Sequence, residues 1–134
     1  MEVFHLERTL TRIDYLRLTR LLVRDRQAAS EDLEQLLTTS DLVSPAAVAP
    51  DVVTMYSQLV LADADSIAPF KLTLCYPDDA EPARGFISVL SPVGLSLLGL
   101  RVGATARWQT PRGPRSATVL EILFQPEASG DYTT

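Results

Sequence analysis

The 134 residues hold a single cysteine, Cys75, a single histidine, His5, and a single tryptophan, Trp108. One cysteine permits no internal disulfide, which suits a reducing compartment and leads us to expect a cytoplasmic protein. One histidine, with no His or Cys at ligand spacing, excludes the usual zinc patterns. There is no Gly-x-Ser-x-Gly elbow, and no glycine-rich loop leads into a Walker lysine. No apolar run approaches the ~18 residues that a membrane span needs. The start, Met1-Glu2-Val3-Phe4-His5, lacks a basic segment ahead of an apolar stretch, so no signal peptide is read there. Positive charge is scarce as well: 12 Lys and Arg stand against 17 Asp and Glu, a net charge of −5. That balance argues against direct nucleic-acid binding and against docking on anionic lipid. It leaves room for an acidic protein approaching a basic groove on a partner. No catalytic set, metal site or cofactor is called for, and the chain reads as one that works by binding a larger protein.

The expected fold is α+β. Residues 1–43 read as two short helices. The stretch Leu10 to Asp25 has no Pro or Gly, and its apolar residues form two partial stripes. Tyr15, Leu18 and Leu22 share one; Ile13, Leu16 and Val23 lie near the other. Arg17, Arg20 and Arg24, at i, i+3 and i+7, make a basic face that is either a partner-contacting strip or a solvated surface. Ser30 is a candidate N-cap with Glu31, Asp32 and Glu34 in the following turn, and Leu33, Leu36 and Leu37 continue with helical spacing. Each helix is about 20 Å long at about 1.5 Å per residue, and a tight connection makes them an antiparallel hairpin. Asp25, Glu31 and Asp32 flank its tip. Carboxylates so grouped can hold magnesium; the simpler reading is that they complement helix dipoles.

Residues 44–51, with Pro45 and Pro50, form a linker that ends the helical region. From residue 52 to 134 the pattern is strand-like. Val52 to Tyr56 and Leu59 to Leu61 are rich in β-branched and aromatic residues. Phe70, Leu72, Leu74 and Tyr76 alternate with Lys71, Thr73 and Cys75, which predicts one buried face and makes Cys75 a structural thiol. Phe86 to Leu90, Ala104 to Gln109 and Ser116 to Phe124 read as further strands, with Trp108 in the core and a turn at Thr110 to Pro114. One short helix interrupts them. Ser91 caps it, Pro92 takes its first position and Gly99 follows its end, the expected placement of proline and glycine at helix termini.

Particular strings carry the reading further. Ile87-Ser88-Val89-Leu90-Ser91-Pro92-Val93-Gly94, Leu97-Leu98-Gly99-Leu100-Arg101-Val102-Gly103, and Trp108-Gln109-Thr110-Pro111 with Gly113 resemble the C-terminal domain of the bacterial Gre transcript cleavage factors. Pro50 to Ser57 and the tail Phe124 to Tyr132 resemble a short branch of that family, the regulators of nucleoside diphosphate kinase. The resemblance runs from about Pro50 to Tyr132 and is weaker over the hairpin. It implies an FKBP-like antiparallel sheet domain with one short packing helix, and it implies bacterial RNA polymerase as the partner. In Gre-like proteins the C-terminal domain docks at the rim of the polymerase secondary channel and the hairpin points inward. Carried over, the docking loop is Leu90, Ser91 and Pro92. Gre factors commonly have an acidic residue where this chain has Leu90. Cleavage-active members have a much longer arm, whose acidic tip helps hold a catalytic metal. The short helices here imply a chain that competes with Gre factors for the dock without stimulating cleavage, and that affects nucleoside diphosphate kinase only downstream of transcription. Three other readings stay open: a cleavage-stimulating factor using Asp25, Glu31 or Asp32, a prolyl isomerase, and an interaction module for another groove.

Overall fold

The computed structural model describes residues 7–24, 31–63 and 68–132. The chain begins with a short strand, β1 (Thr9–Thr11), that runs straight into helix α1 (Arg12–Arg24). The switch falls two residues later than the expected helix start at Leu10, because the Thr11 hydroxyl accepts the Asp14 N–H at 3.0 Å and so caps the first turn from an extended position. Asp25 and the expected cap Ser30 lie outside the described residues. Helix α2 (Glu31–Thr39) buries Leu33, Leu36 and Leu37, as its spacing requires. It leads into β2 (Asp41–Val43), which pairs in parallel with β1, Thr9 opposite Asp41. The pairing of β1 with β2 has no strong sequence signal, since each strand has only three residues.

Of the two stripes expected on α1, one is buried. Its inward positions are Asp14, Leu18 and Leu21, with Tyr15 and Leu22 partly covered beside them. Leu16 and Val23 of the other stripe are 55% and 63% exposed. A helix packed on one side has only one buried face, and the second stripe points into solvent.

The larger part of the chain is a five-stranded sheet with a short helix. Its elements are β3 (Gln58–Asp63), β4 (Phe70–Cys75), β5 (Phe86–Ser88), α3 (Pro92–Leu97), β6 (Thr105–Thr110) and β7 (Gly113–Phe124). The spatial order is β5-β4-β3-β7-β6. Pairing is antiparallel except between β4 and β5, which run in parallel, so the expected all-antiparallel sheet is corrected at this edge. The connection between them, with 3-10 turns at Pro77–Asp79 and Pro82–Arg84, returns the chain to start β5 beside β4. Parallel neighbours need such a return, which a two-residue hairpin cannot give.

Val52 to Tyr56 is a second correction. These residues are largely buried, as their composition suggested, but they do not join the sheet. Val53 exchanges backbone hydrogen bonds with the segment after α3, donating to the Leu100 carbonyl at 2.8 Å and accepting from the Gly99 N–H at 2.9 Å. Tyr56 then turns the chain with a left-handed φ of 65°, and the strand starts only at Gln58. Residues 44–51, read as a linker, contain a 3-10 turn at Pro45–Ala47. Buried Gln125, just after β7, donates to the carbonyls of Ala49 and Val52 at 2.8 Å each and fixes this stretch to the sheet.

One apolar cluster joins everything. Leu10, Leu18, Leu21, Leu33 and Leu36 from the helical region are continuous with Leu59, Leu61, Leu74, Leu97, Leu98 and Val119. Cys75 is buried, as expected of a structural thiol. Among the described residues no helix is long and apolar enough to cross a membrane.

Candidate functional site

The Ser-Pro turn is built almost entirely from itself. The Ser91 hydroxyl accepts the Gly94 N–H at 3.1 Å and donates to the Ser88 carbonyl at 2.6 Å. The Ser88 hydroxyl accepts the Leu90 N–H at 3.0 Å. Pro92 at the first helical position loses no hydrogen bond, because that N–H would have no partner within the helix. Gly94 sits against β5 so tightly that a Cβ there would come within 2.1 Å of the Ser88 carbonyl oxygen. The turn therefore leaves Pro92 exposed and Leu90 half-buried against the core, while both functions of the Ser91 hydroxyl are used internally. Of the three expected docking residues, Leu90 and Pro92 offer surface and Ser91 holds them there.

Leu90 and Pro92 line one wall of a groove of about 810 Å³. Its other walls are α2, through Asp32, Gln35 and Thr39, and the β6–β7 hairpin, through Arg107, Trp108 and Arg115. Trp108, expected in the core, is partly buried and lies at this groove. Asp63, on β3, is paired with Arg115.

Three polar anchors set the helical region against the sheet domain. The Thr9 N–H donates to the Gly99 carbonyl at 3.0 Å. Gly99 has a φ of 84°, and a Cβ there would press on the Thr9 carbonyl oxygen and the Arg8 side chain at 3.0 and 3.1 Å, so the close passage of the two segments requires glycine. The Arg8 guanidinium donates to the carbonyls of Leu95 and Leu98, at 2.7 and 3.2 Å, satisfying acceptors at the end of α3. Burial lowers its pKa, partly offset by Asp32. Asp14, only 2% exposed, accepts the Met55 N–H at 3.2 Å and lies 3.5 Å from the Tyr76 hydroxyl. Burial pushes its carboxyl up to about 6; the Met55 hydrogen bond opposes the shift and the charge of Glu127 adds to it.

Sequence reasoning passed over Arg8 and Asp14. For Asp14 there was a signal: it stands at i, i+4 and i+7 with Leu18 and Leu21, a carboxylate in the apolar stripe. Arg8 gave none, since its acceptors are some 87 and 90 residues away.

The remaining expected residues are dispersed. Arg17, Arg20 and Arg24 share one face of α1 and line a separate small notch with Tyr76, Pro77 and Asp78. Glu31 and Asp32 are exposed at the start of α2. Asp32 faces the groove, whereas Asp25 lies outside the described residues. Among the described residues no three His, Cys, Asp or Glu side chains gather as a metal site.

Against this geometry, the comparisons with known proteins agree with one another. The family model described as transcription elongation factor, GreA/GreB, C-terminal, matches residues 48–124. A regulator of nucleoside diphosphate kinase from Escherichia coli (strain K12) is 38% identical over 104 residues, covering 77% of this chain and 76% of the relative. The transcription elongation factor GreA of Solidesulfovibrio magneticus is 34% identical over 113 residues, covering 81% of this chain and 69% of that one. A solved structure of a prokaryotic GreA/GreB elongation factor from Nitrosomonas europaea superposes with a TM-score of 0.75 at 34% identity, over 88% of this chain and all of that one. The matched segment takes in the Ser-Pro turn, α3 and all five strands of the sheet, and on that ground the chain belongs to the GreA/GreB transcription elongation factor family.

Proposed function

We propose that this protein is a bacterial RNA polymerase-binding modulator of transcription that acts in the cytoplasm by occupancy and not by catalysis. It docks at the rim of the secondary channel through Leu90 and Pro92, competes there with Gre factors, and does not stimulate transcript cleavage. The observation that carries this reading is the Ser-Pro turn, a locally hydrogen-bonded element held by Ser88, Ser91 and Gly94 that places Leu90 and Pro92 on the wall of a groove. A preformed surface docks with little loss of conformational freedom. The sheet and packing helix are the part of the chain we read as the FKBP-like docking domain of 52–134, with the linker and helical hairpin ahead of it. In the hairpin, Arg17, Arg20, Arg24, Asp25, Glu31 and Asp32 are the candidates for polymerase contact. Any influence on nucleoside diphosphate kinase follows from transcription.

The length of the helices supports the absence of cleavage. Helix α1 has 13 residues and α2 has nine, so the longer rises about 20 Å. Carboxylates on so short an arm stop short of an active centre reached only by a coiled coil of about twice that length. Two assays test the proposal. Size-exclusion chromatography with core polymerase is expected to show co-elution, and its absence at micromolar protein would refute docking. Stalled elongation complexes are expected to keep their transcript length when the protein is added. Shortened transcripts would establish the cleavage-factor reading instead.

A further inference from the structure

The arginine face of α1 is not a simple solvated strip. Arg17, Arg20, Leu21 and Arg24 form one wall of a notch of about 230 Å³, and Tyr76, Pro77 and Asp78 form the other. Leu21 is buried and makes an apolar floor. Arg17 is held in place: it hydrogen-bonds the Tyr76 phenol, which itself lies 3.5 Å from Asp14. Arg20 and Arg24 are exposed, and among the described residues neither makes an ion pair. In a chain of net charge −5, three arginine side chains line one small space that, among the described residues, has one carboxylate residue, Asp78, on its rim.

The ligand class follows from size, charge and shape. Successive arginines stand about 4.5 and 6 Å apart along the helix axis, close enough for their long side chains to converge on one short anion. A single carboxylate could engage only one or two of the guanidinium forks. Phosphate groups give three acceptor oxygens each, concentrate more charge and match the bidentate geometry of arginine. The cavity is smaller than the roughly 300–1,000 Å³ of sites that enclose a whole organic ligand, so it takes a compact group or the charged end of something larger. A nucleic-acid strand is a poor occupant, since its backbone carries one charge per phosphodiester and needs an extended basic track, which the net charge does not provide.

We infer that the Arg17–Arg20–Arg24 notch binds a polyphosphate chain, either free or carried on a nucleoside. The charged chain lies against Arg20 and Arg24, with Arg17 as the fixed inner donor. Where a nucleoside is attached, Tyr76 and Pro77 provide the apolar wall beside which it would lie, and Asp78 is an acceptor for its hydroxyl or amino groups. The inference does not depend on docking through the Ser-Pro turn, because the notch and the Ser-Pro groove share no lining residue.

The test uses the purified full chain without polymerase and without magnesium. Adenosine triphosphate and inorganic tripolyphosphate are titrated separately by calorimetry, with amide chemical shifts followed in parallel. Saturable binding is expected, weakening as salt is raised, with shifts confined to the residues around Arg17, Leu21, Tyr76 and Asp78. R20Q/R24Q should bind about tenfold or more weakly, as loss of charge-assisted hydrogen bonds requires, and should keep the wild-type melting curve because both side chains are exposed. Equal affinity for the two probes would assign the site to the phosphate chain alone; tighter binding of the nucleotide would assign it to a nucleoside-borne chain. The inference fails if neither probe saturates at millimolar concentration or if the double variant binds like the wild type. It also fails if only single-stranded RNA binds and the triphosphate does not displace it.

Discussion

The Ser-Pro turn and the helical arm are both positioned firmly, but by opposite means. The turn is held by hydrogen bonds among Ser88, Leu90, Ser91 and Gly94, all within seven residues of one another. The arm is held by distant partners: Thr9 by Gly99, Arg8 by Leu95 and Leu98, Asp14 by Met55. A locally built element keeps its shape wherever the rest of the chain moves. The arm also shares the apolar cluster with the sheet, so losing one polar anchor should loosen its edge without releasing it. The difference is one of reach: the turn depends on its immediate neighbours, and the arm on residues far along the chain.

The largest effect should come from attacking the turn at its tightest point. Gly94→Ala places a methyl group where backbone already stands, 2.1 Å from the Ser88 carbonyl oxygen. We expect a loss of about 4 kcal/mol or more in denaturant unfolding, the range of severe overpacking. A near-neutral result would mean that β5 and α3 can separate easily and that the turn is not rigid.

Asp14 probes the arm. Its carboxyl is raised from 3.8 to about 6 by burial, so the folded state holds the proton more tightly than the unfolded chain does. The stability it allows is fullest below about pH 4, declines as pH rises through about 6, and is reduced by about 3 kcal/mol at pH 7. Asp14→Asn keeps an acceptor for the Met55 N–H without a charge to bury. It is expected to be more stable than the wild type at pH 7 and to flatten the change in stability between pH 4 and 7. Identical pH profiles for the two proteins would show that the carboxylate is solvated.

Smaller effects follow. Arg8→Ala leaves the Leu95 and Leu98 carbonyls without their donor, and about 2 kcal/mol is expected, the cost of removing hydrogen bonds from a charged group. Amide exchange should then speed up in β1 and at the end of α3 while β3 and β7 stay protected. Ser91→Ala removes an N-cap and should cost about 1 kcal/mol. Its effect on polymerase binding should be weaker than that of Leu90→Arg, since the Ser91 hydroxyl faces inward.

The same contrast explains what the sequence disclosed. The Ser91 cap, Pro92 at the first turn, and α3 between strands were legible because the interactions that start the helix lie within a few residues. The strands Phe70–Cys75 and Thr105–Thr110 were legible through alternation and composition, within one or two residues at each end. The short pair β1–β2, the diversion of Val52 to Tyr56 away from the sheet, and the parallel edge at β5 were not. Each is decided by a partner far along the chain: Thr9 by Asp41, Val53 by Leu100, Phe86 by Thr73. The candidate site divides likewise. Leu90 and Pro92 came from the resemblance of the Ser-Pro string to the Gre factors, and the Arg17, Arg20 and Arg24 strip from helical spacing. Their separation into two cavities, and the roles of Arg8 and Tyr76, required the tertiary fold.

Competition for core polymerase tests the central claim most directly. A labelled sample of the protein, bound to core enzyme and followed by fluorescence anisotropy, is titrated with an unlabelled Gre factor, and the titration is repeated with Leu90→Arg. The account predicts full displacement by the Gre factor and at least tenfold weaker binding of the variant, about 1.4 kcal/mol. Binding that Gre factor cannot displace, or that Leu90→Arg leaves unchanged, would contradict docking through the Ser-Pro turn.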